Sequence, residues 1–206
     1  PMRLCLVQTK AVPGNIERNI ENHVLWIKKS SKKRPDLIMF PELSITGYEP
    51  ALAGDLALSL NDPMLDVFQE YSDKLQLSVS VGLPLKEVQG IYIAMVIFQP
   101  NCQGVVYKKQ MLHRDECPFF IEGKTQTIVE IGGTKISPAI CYESLKPIHF
   151  DRCVKLGTEI YMASVSKDGS GIKKASNHYS EMSLNHSVPV VMVNSVGYCD
   201  NFESAG

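Results

Sequence analysis

The stretch Ile136-Ser-Pro-Ala-Ile-Cys-Tyr-Glu143 constrains this chain more than any other. An apolar run ends there in a single cysteine, polar residues follow at once, and Pro147 stands four positions beyond Glu143. A short continuous apolar run reads as a strand buried on both faces, and a proline after it suits the first turn of a helix. Strand followed by helix is the unit of α/β sheets, whose ligands bind at the carboxyl ends of the strands. Cys141 falls on that rim. Its sulfur is a nucleophile only as the thiolate, so a proton acceptor must lie close by. Two further apolar runs end in ionisable residues: Leu37-Ile-Met-Phe-Pro41 before Glu42, and Gly104-Val-Val-Tyr-Lys108 before Lys109.

The rest of the chain reads as scaffold for these three positions. Arg3 to Gln8 reads as an opening strand, and Asn15 caps a helix through about residue 33, with Ile16, Ile20, Val24 and Ile27 on one face. Asp36 to Pro41 is a buried strand, and Glu42 to Leu60 is irregular, punctuated by Gly47, Pro50 and Gly54. Asp62-Pro63 opens a helix to about Gln76, whose inward residues are Leu65, Phe68, Tyr71 and Leu75. Leu77 to Pro84, Ile91 to Gln99 and Val105 to Lys109 form antiparallel hairpins, and Thr127 to Ile131 pairs with Lys135 to Ile140 across Gly132-Gly133. A helix at Pro147 to Leu156, a strand at Ile160 to Val165, a helix from Lys173 to about Ser187 and a last buried strand at Pro189 to Val196 follow. The tail Asn201 to Gly206 carries no structural ending. Two helix-bearing halves around hairpins predict a mixed α/β protein with helices outside the sheets.

Composition narrows the function classes. With 206 residues, 44% of them hydrophobic, the chain is expected to be one domain, 1–206, around one sizeable core. The net charge is −1 and the densest basic group, Lys28, Lys29, Lys32, Lys33 and Arg34, sits at a helix end where cations suit the dipole. Nucleic acid is thereby excluded as the main partner, since phosphate binding needs clustered cations. No apolar run is long enough to span a bilayer, and no charged-then-apolar leader opens the chain, so a cytoplasmic protein without membrane partners is expected. The six cysteines, at 5, 102, 117, 141, 153 and 199, contain no C-x-x-C pair and no metal-ligand spacing, and read as free thiols.

Cysteine chemistry on a carbonyl needs a base for the thiol proton and positive charge where the oxyanion forms. His23, His113, His149, His178 and His186 lie in helices or loops without an Asp or Asn pattern that would support a Cys-His pairing. A carboxylate serves instead when burial raises its pKa, and Glu42 at a buried strand end has that setting. Lys109 supplies the cation.

At this point the residues resemble a known family. Phe40-Pro-Glu-Leu-Ser-Ile-Thr-Gly-Tyr48 is similar to the nitrilase superfamily motif around its catalytic glutamate. Tyr107-Lys-Lys-Gln-Met-Leu112 resembles that family's lysine motif, and Ile140-Cys-Tyr-Glu143 its nucleophile motif. Glu116, with Phe119-Phe120 and Gly123 after it, resembles the segment of the second glutamate, and Asn194-Ser-Val-Gly197 the stretch after the last core strand. The resemblance implies a four-layer α-β-β-α sandwich of mixed sheets. It implies hydrolysis of a non-peptide C–N bond through a thioester, releasing ammonia or an amine, without metal or cofactor. Glu42 would be general base and acid, Lys109 would stabilise the tetrahedral intermediate, Cys141 would attack, and Glu116 would orient Lys109 or the substrate. The Tyr142 N–H would be a further oxyanion donor. Family members run longer, so the strands that complete the sandwich are expected beyond residue 206, and a homodimer or larger homo-oligomer is implied.

Rival readings stand beside these. Lys108 adjoins Lys109, and strand alternation sends one of the two to the surface. Asp115 and Glu122 rival Glu116, and Cys117 rivals Cys141. Ser166, Lys167 and Asp168 follow a strand on the same rim as Cys141, and with Tyr48 and Tyr142 they are candidate substrate contacts. The leading expectation is an amidase or carbamoylase acting on a small linear amide. The alternatives are a nitrilase, disfavoured because Tyr142 stands where nitrilases carry Trp, a glutaminase-type ammonia supplier, a silent binding module, and a thiol peroxidase.

Overall fold

Asn15 accepts a hydrogen bond from the Arg18 N–H at 3.1 Å, and helix α1 (Ile16–Ser31) starts there in the computed structural model, which describes residues 1–206. Ile16, Ile20 and Ile27 face the core as their spacing predicts. Two polar residues share that face. Asn19 donates to the carbonyls of Val12 and Ile45, both at 2.9 Å, and the His23 ring bridges the Asn19 carbonyl and the Ser44 hydroxyl. Helix α1 thus holds the loop that carries Glu42.

The first sheet runs in the order β1 (Leu4–Leu6), β2 (Leu37–Met39), β3 (Ser78–Glu87), β4 (Gly90–Phe98), β5 (Val105–Lys108). Strands β1, β2 and β3 are parallel, whereas β3, β4 and β5 are joined antiparallel. The second sheet is β6 (Val129–Ile131), β7 (Thr134–Ile140), β8 (Ile160–Val165) and β9 (Val190–Asn194), antiparallel at β6–β7 and parallel after it. The period of two sorts side chains between layers. Ile38, Val79, Val81 and Val96 pack toward α1 and α3 (Asp66–Leu75). Leu37, Met39, Ile93 and Met95 pack instead against Ile136, Ile140 and Met162 of the second sheet. The far face of that sheet, with Ala139, Tyr161 and Ala163, is covered by α4 (Pro147–Lys155) and α5 (Gly169–His186). The layers therefore run α-β-β-α, the architecture expected.

Four local readings differ. The segment from Glu42 to Leu60 is not wholly irregular: it holds a 3₁₀ turn at Pro50–Leu52 and a short helix α2 (Ala53–Leu56). The Asp62 cap opens a 3₁₀ turn at Pro63–Leu65 before α3, because the Asp62 side chain accepts from the Met64 N–H at 2.9 Å. Helix α5 begins at Gly169 rather than Lys173, capped by Asp168, which accepts from the Gly171 N–H at 2.7 Å. Its two opening glycines hide the start in the sequence. The strand at Val190–Asn194 is not the last. A hairpin, β10 (Val196–Cys199) and β11 (Phe202–Ala205), follows around Asp200, whose φ of 49° reverses the chain. The tail, in which the sequence offers no structural ending, holds strand β11.

Candidate active site

The Glu42 loop crosses directly over β3, and Gly82 makes this possible. A Cβ at Gly82 would lie 2.4 Å from the Leu43 nitrogen and 2.7 Å from the Pro41 carbonyl oxygen. The bare backbone instead pairs with the loop: the Ile45 N–H donates to the Gly82 carbonyl at 3.0 Å, and the Gly82 N–H to the Ser44 hydroxyl at 3.1 Å. Leu43 adopts a left-handed φ of 50°, and Glu42 is turned inward until only 2% of it is exposed.

At the end of β5 alternation separates the two lysines. Lys108 faces outward, paired with Glu87 at 2.6 Å and stacked over the Tyr92 ring. Lys109 is fully buried, its ammonium 2.9 Å from Glu42 Oε1 and 2.9 and 3.0 Å from the two oxygens of Glu116. Glu116 also accepts from the Tyr48 hydroxyl and the His113 N–H, both at 2.8 Å. Its rivals Asp115 and Glu122 lie on the surface, as does Cys117. Gly123 closes this corner, since a Cβ there would sit 2.4 Å from the Lys108 carbonyl oxygen.

Cys141 follows β7 with a left-handed φ of 50°, a sharp turn that lifts the sulfur off the strand. The thiol points toward the Ser166 carbonyl at 3.8 Å, and the Ser166 hydroxyl reaches the Glu42 carbonyl at 3.5 Å. Burial pushes the thiol up to about 11; the Glu42 charge adds to the rise, while Lys167 and Lys109 oppose it. At neutral pH the sulfur keeps its proton. Burial also raises Glu42 above the ordinary carboxylate range, against the opposing charge of Lys109. On Lys109 burial acts downward, but the two carboxylates outweigh it and hold the ammonium charged. Glu42 Oε1 is taken by Lys109, and its Oε2 is buried with no hydrogen-bond partner. The arrangement can take a proton from sulfur and hold negative charge beside an ammonium.

The remaining candidates surround this set. Tyr48 stands edge-on to Phe202 of β11, 5.7 Å between ring centres. Tyr142 meets the His113 ring at 5.4 Å and carries the Lys146 ammonium 4.3 Å above its face. The Lys167 N–H donates to Asn194 Oδ1 at 2.8 Å, and Asn194 Nδ2 returns a bond to the Lys167 carbonyl at 2.9 Å. Tyr48, Glu116, Cys141, Tyr142, Ser166 and Lys167 open onto one cleft of about 560 Å³, a volume suited to a small molecule. Asp168 lies at its edge, occupied in capping α5.

Sequence reasoning passed over Glu143. This fully buried carboxylate accepts from the Tyr107 hydroxyl at 2.5 Å and from the N–H groups of Ile140 and Gln110 at 2.8 and 2.7 Å. It ties the cysteine turn to the lysine loop. Burial pushes it up to about 7, against those three donors. Its signal was present: an acid three residues after a helix start reaches back to the backbone N–H there. Phe202 was missed with its hairpin, for which Asp200-Asn201 between two alternating runs was the cue.

Comparison with known proteins bears on the fold and the family. A glutamine-dependent NAD(+) synthetase of Thermotoga maritima is 26% identical over 170 residues, 78% of this chain and 29% of the synthetase. The chain spans about a third of the synthetases it matches. The omega-amidase YafV of Yersinia enterocolitica is 26% identical over 71% of this chain and 57% of its own length. Among solved structures, a CN-hydrolase superfamily protein of Xanthomonas campestris, carrying an arsenic adduct in its active site, superposes with a TM-score of 0.90 at 17% identity, covering 99% of this chain and 79% of that one. Residues 3–205 match the carbon-nitrogen hydrolase family, and the chain, an α-β-β-α sandwich, belongs to it.

Proposed function

We propose that the chain hydrolyses the C–N bond of a small linear amide, or of an N-carbamoyl compound, through a thioester on Cys141. The unpartnered Glu42 Oε2, buried beside a thiol that keeps its proton, carries this reading. As the amide carbon meets the sulfur, Glu42 takes the thiol proton and the C–S bond forms. Negative charge gathers on the carbonyl oxygen, where Lys109 and the Tyr142 N–H are its counterparts. Glu42 then gives its proton to the departing nitrogen, the C–N bond breaks, and ammonia leaves. A water molecule, deprotonated by the same carboxylate, attacks the thioester; the acid is released and the sulfur regains its proton. Lys109 is unsuited to be the base, because two carboxylates keep it charged. Glu116, engaged by Lys109, Tyr48 and the His113 N–H, acts as a positioning residue.

A second reading is hydrolysis of glutamine to supply ammonia to a partner. The similarity to glutamine-dependent synthetases, of which this chain spans about a third, favours it. A nitrile substrate has less support, because Tyr142 replaces the Trp that follows the cysteine in nitrilases. Ammonia release from ω-amides, N-carbamoyl compounds, glutamine and simple nitriles separates these, with Cys141→Ala and Glu42→Gln run alongside. Release from an amide that disappears in both variants is the expected result. Release that survives in Cys141→Ala, or none from any compound, would overturn the proposal.

A further inference from the structure

Two buried hydroxyls beside the cysteine turn have no part in the chemistry above. Ser144 is fully buried, and its hydroxyl donates to the Cys141 carbonyl at 2.5 Å. A serine hydroxyl has one hydrogen to give. That hydrogen is on the Cys141 carbonyl, so in the 2.5 Å contact between Ser144 and Tyr179 the phenol donates. Tyr179 belongs to α5 and is 6% exposed, with its ring in the apolar cluster of Ala163, Val165 and Ala175. Helix α5 thus reaches the cysteine turn through two hydroxyls in series.

The carbonyl they hold belongs to the Cys141–Tyr142 peptide. That unit is planar and trans, so its N–H points away from its C=O. Fixing the carbonyl on one side therefore fixes the Tyr142 N–H on the other. A hydrogen bond to the carbonyl also polarises the peptide and makes its N–H a better donor. The turn needs such support, because Cys141 sits at a φ of 50°, where a residue with a side chain is strained. We infer that Tyr179, acting through Ser144, is a positioning residue that aims the Tyr142 N–H at the oxygen of the tetrahedral intermediate. This rests on the hydrolase reading and adds a part to its machinery. The rival roles are to hold the sulfur itself, or only to pack α5 on the sheet.

Tyr179→Phe keeps the ring and removes only its hydroxyl. On an amide that the wild-type protein hydrolyses, kcat should fall about tenfold with KM unchanged, the scale of one lost hydrogen bond. Because Tyr179 acts only through Ser144, the same change in a Ser144→Ala background should cost little more, and a further tenfold loss there would overturn the inference. Iodoacetamide attacks sulfur without building an oxyanion, so Cys141 alkylation should keep its wild-type rate. Butyraldehyde gives a readout free of turnover. The thiol proton passes to Glu42, the C–S bond forms, and the carbonyl π pair moves onto the oxygen that the Tyr142 N–H would hold. The butyraldehyde concentration that half-protects Cys141 from iodoacetamide should rise about tenfold in Tyr179→Phe. Slower alkylation together with lower kcat would assign the hydroxyls to the sulfur. A lower melting temperature with unchanged kcat would assign them to packing, and either result overturns the inference. If no amide is hydrolysed, the hydrolase reading fails and butyraldehyde still decides. Weaker protection in Tyr179→Phe supports the aiming role; equal protection, or none in either protein, sinks it.

Discussion

At Cys141 neighbours of opposite charge act on one proton. Burial and the Glu42 carboxylate disfavour the thiolate, and the cations of Lys167 and Lys109 favour it. Removing the Glu42 charge must therefore lower the thiol pKa. In wild-type protein the rate of Cys141 alkylation by iodoacetamide should climb with pH toward an apparent pKa near 11. In Glu42→Gln that apparent pKa should drop, each unit of drop giving about tenfold faster alkylation at pH 8. Turnover should fall by roughly 10²–10⁴-fold, the usual share of general acid–base catalysis. A variant that is both more reactive toward alkylation and less active separates the base from the nucleophile. One whose alkylation profile does not move would show that the two groups are not in electrostatic contact. That Glu42, Lys109 and Cys141 come together was legible because each ends an apolar run. Glu143 was not singled out, because two of its partners, the Tyr107 hydroxyl and the Gln110 N–H, belong to a distant segment.

Among the elements, the Glu42 loop and β3 depend on each other through one absent side chain. Gly82→Ala places a methyl group against the Leu43 nitrogen and the Pro41 carbonyl, and neither can yield without moving Glu42. The expected cost is about 1–3 kcal/mol from overpacking, a fall in melting temperature of roughly 2–12 °C for a chain of this size. Activity should fall further than stability predicts, because the displaced carboxylate loses its distance to Lys109 and the thiol. Thermal melts and ammonia release on the same preparation check this, and full activity in Gly82→Ala would refute it. Elements read well from the sequence where periodicity spoke alone, as in β8, whose bounds agree with the reading. They read poorly where glycines or a two-residue turn carried the information. Helix α5 opens on Gly169 and Gly171, and β10–β11 turns on Asp200, so hydrophobic pattern had little to say at either place.

For the whole molecule, two buried histidines contribute to the response to acid. His23 lies between α1 and the Glu42 loop, and His149 under the cysteine turn, where its ring contacts the hydroxyls of Tyr107 and Tyr161. Burial lowers both from 6.5 to about 4, with Arg152 adding to the effect at His149. Between those values each ring binds more protons in the unfolded chain than in the folded one, so its share of the stability rises with pH, whereas Glu143, raised to about 7, and Glu42 contribute with the opposite sign. The contribution is present above pH 6.5 and is lost as pH falls through about 4, roughly 3 kcal/mol for each ring. From pH 7.5 to 4 the melting temperature of the wild-type protein should fall relative to that of the variant with both rings replaced by Gln; parallel profiles would contradict the assignment. The groups of the proposed site are also divided between the layers. Glu42 and Lys109 hang from the first sheet, Cys141, Ser166 and Lys167 from the second, and the Ser164 hydroxyl bonds across to the Phe40 carbonyl at 3.2 Å. Neither sheet owns a working site. The chemistry is in effect a gauge of how the two sheets sit on each other, since a displacement of about 1 Å is enough to cost some 10²-fold in rate. Gentle heating that lets the layers slide should silence ammonia release while the helical circular dichroism is still intact.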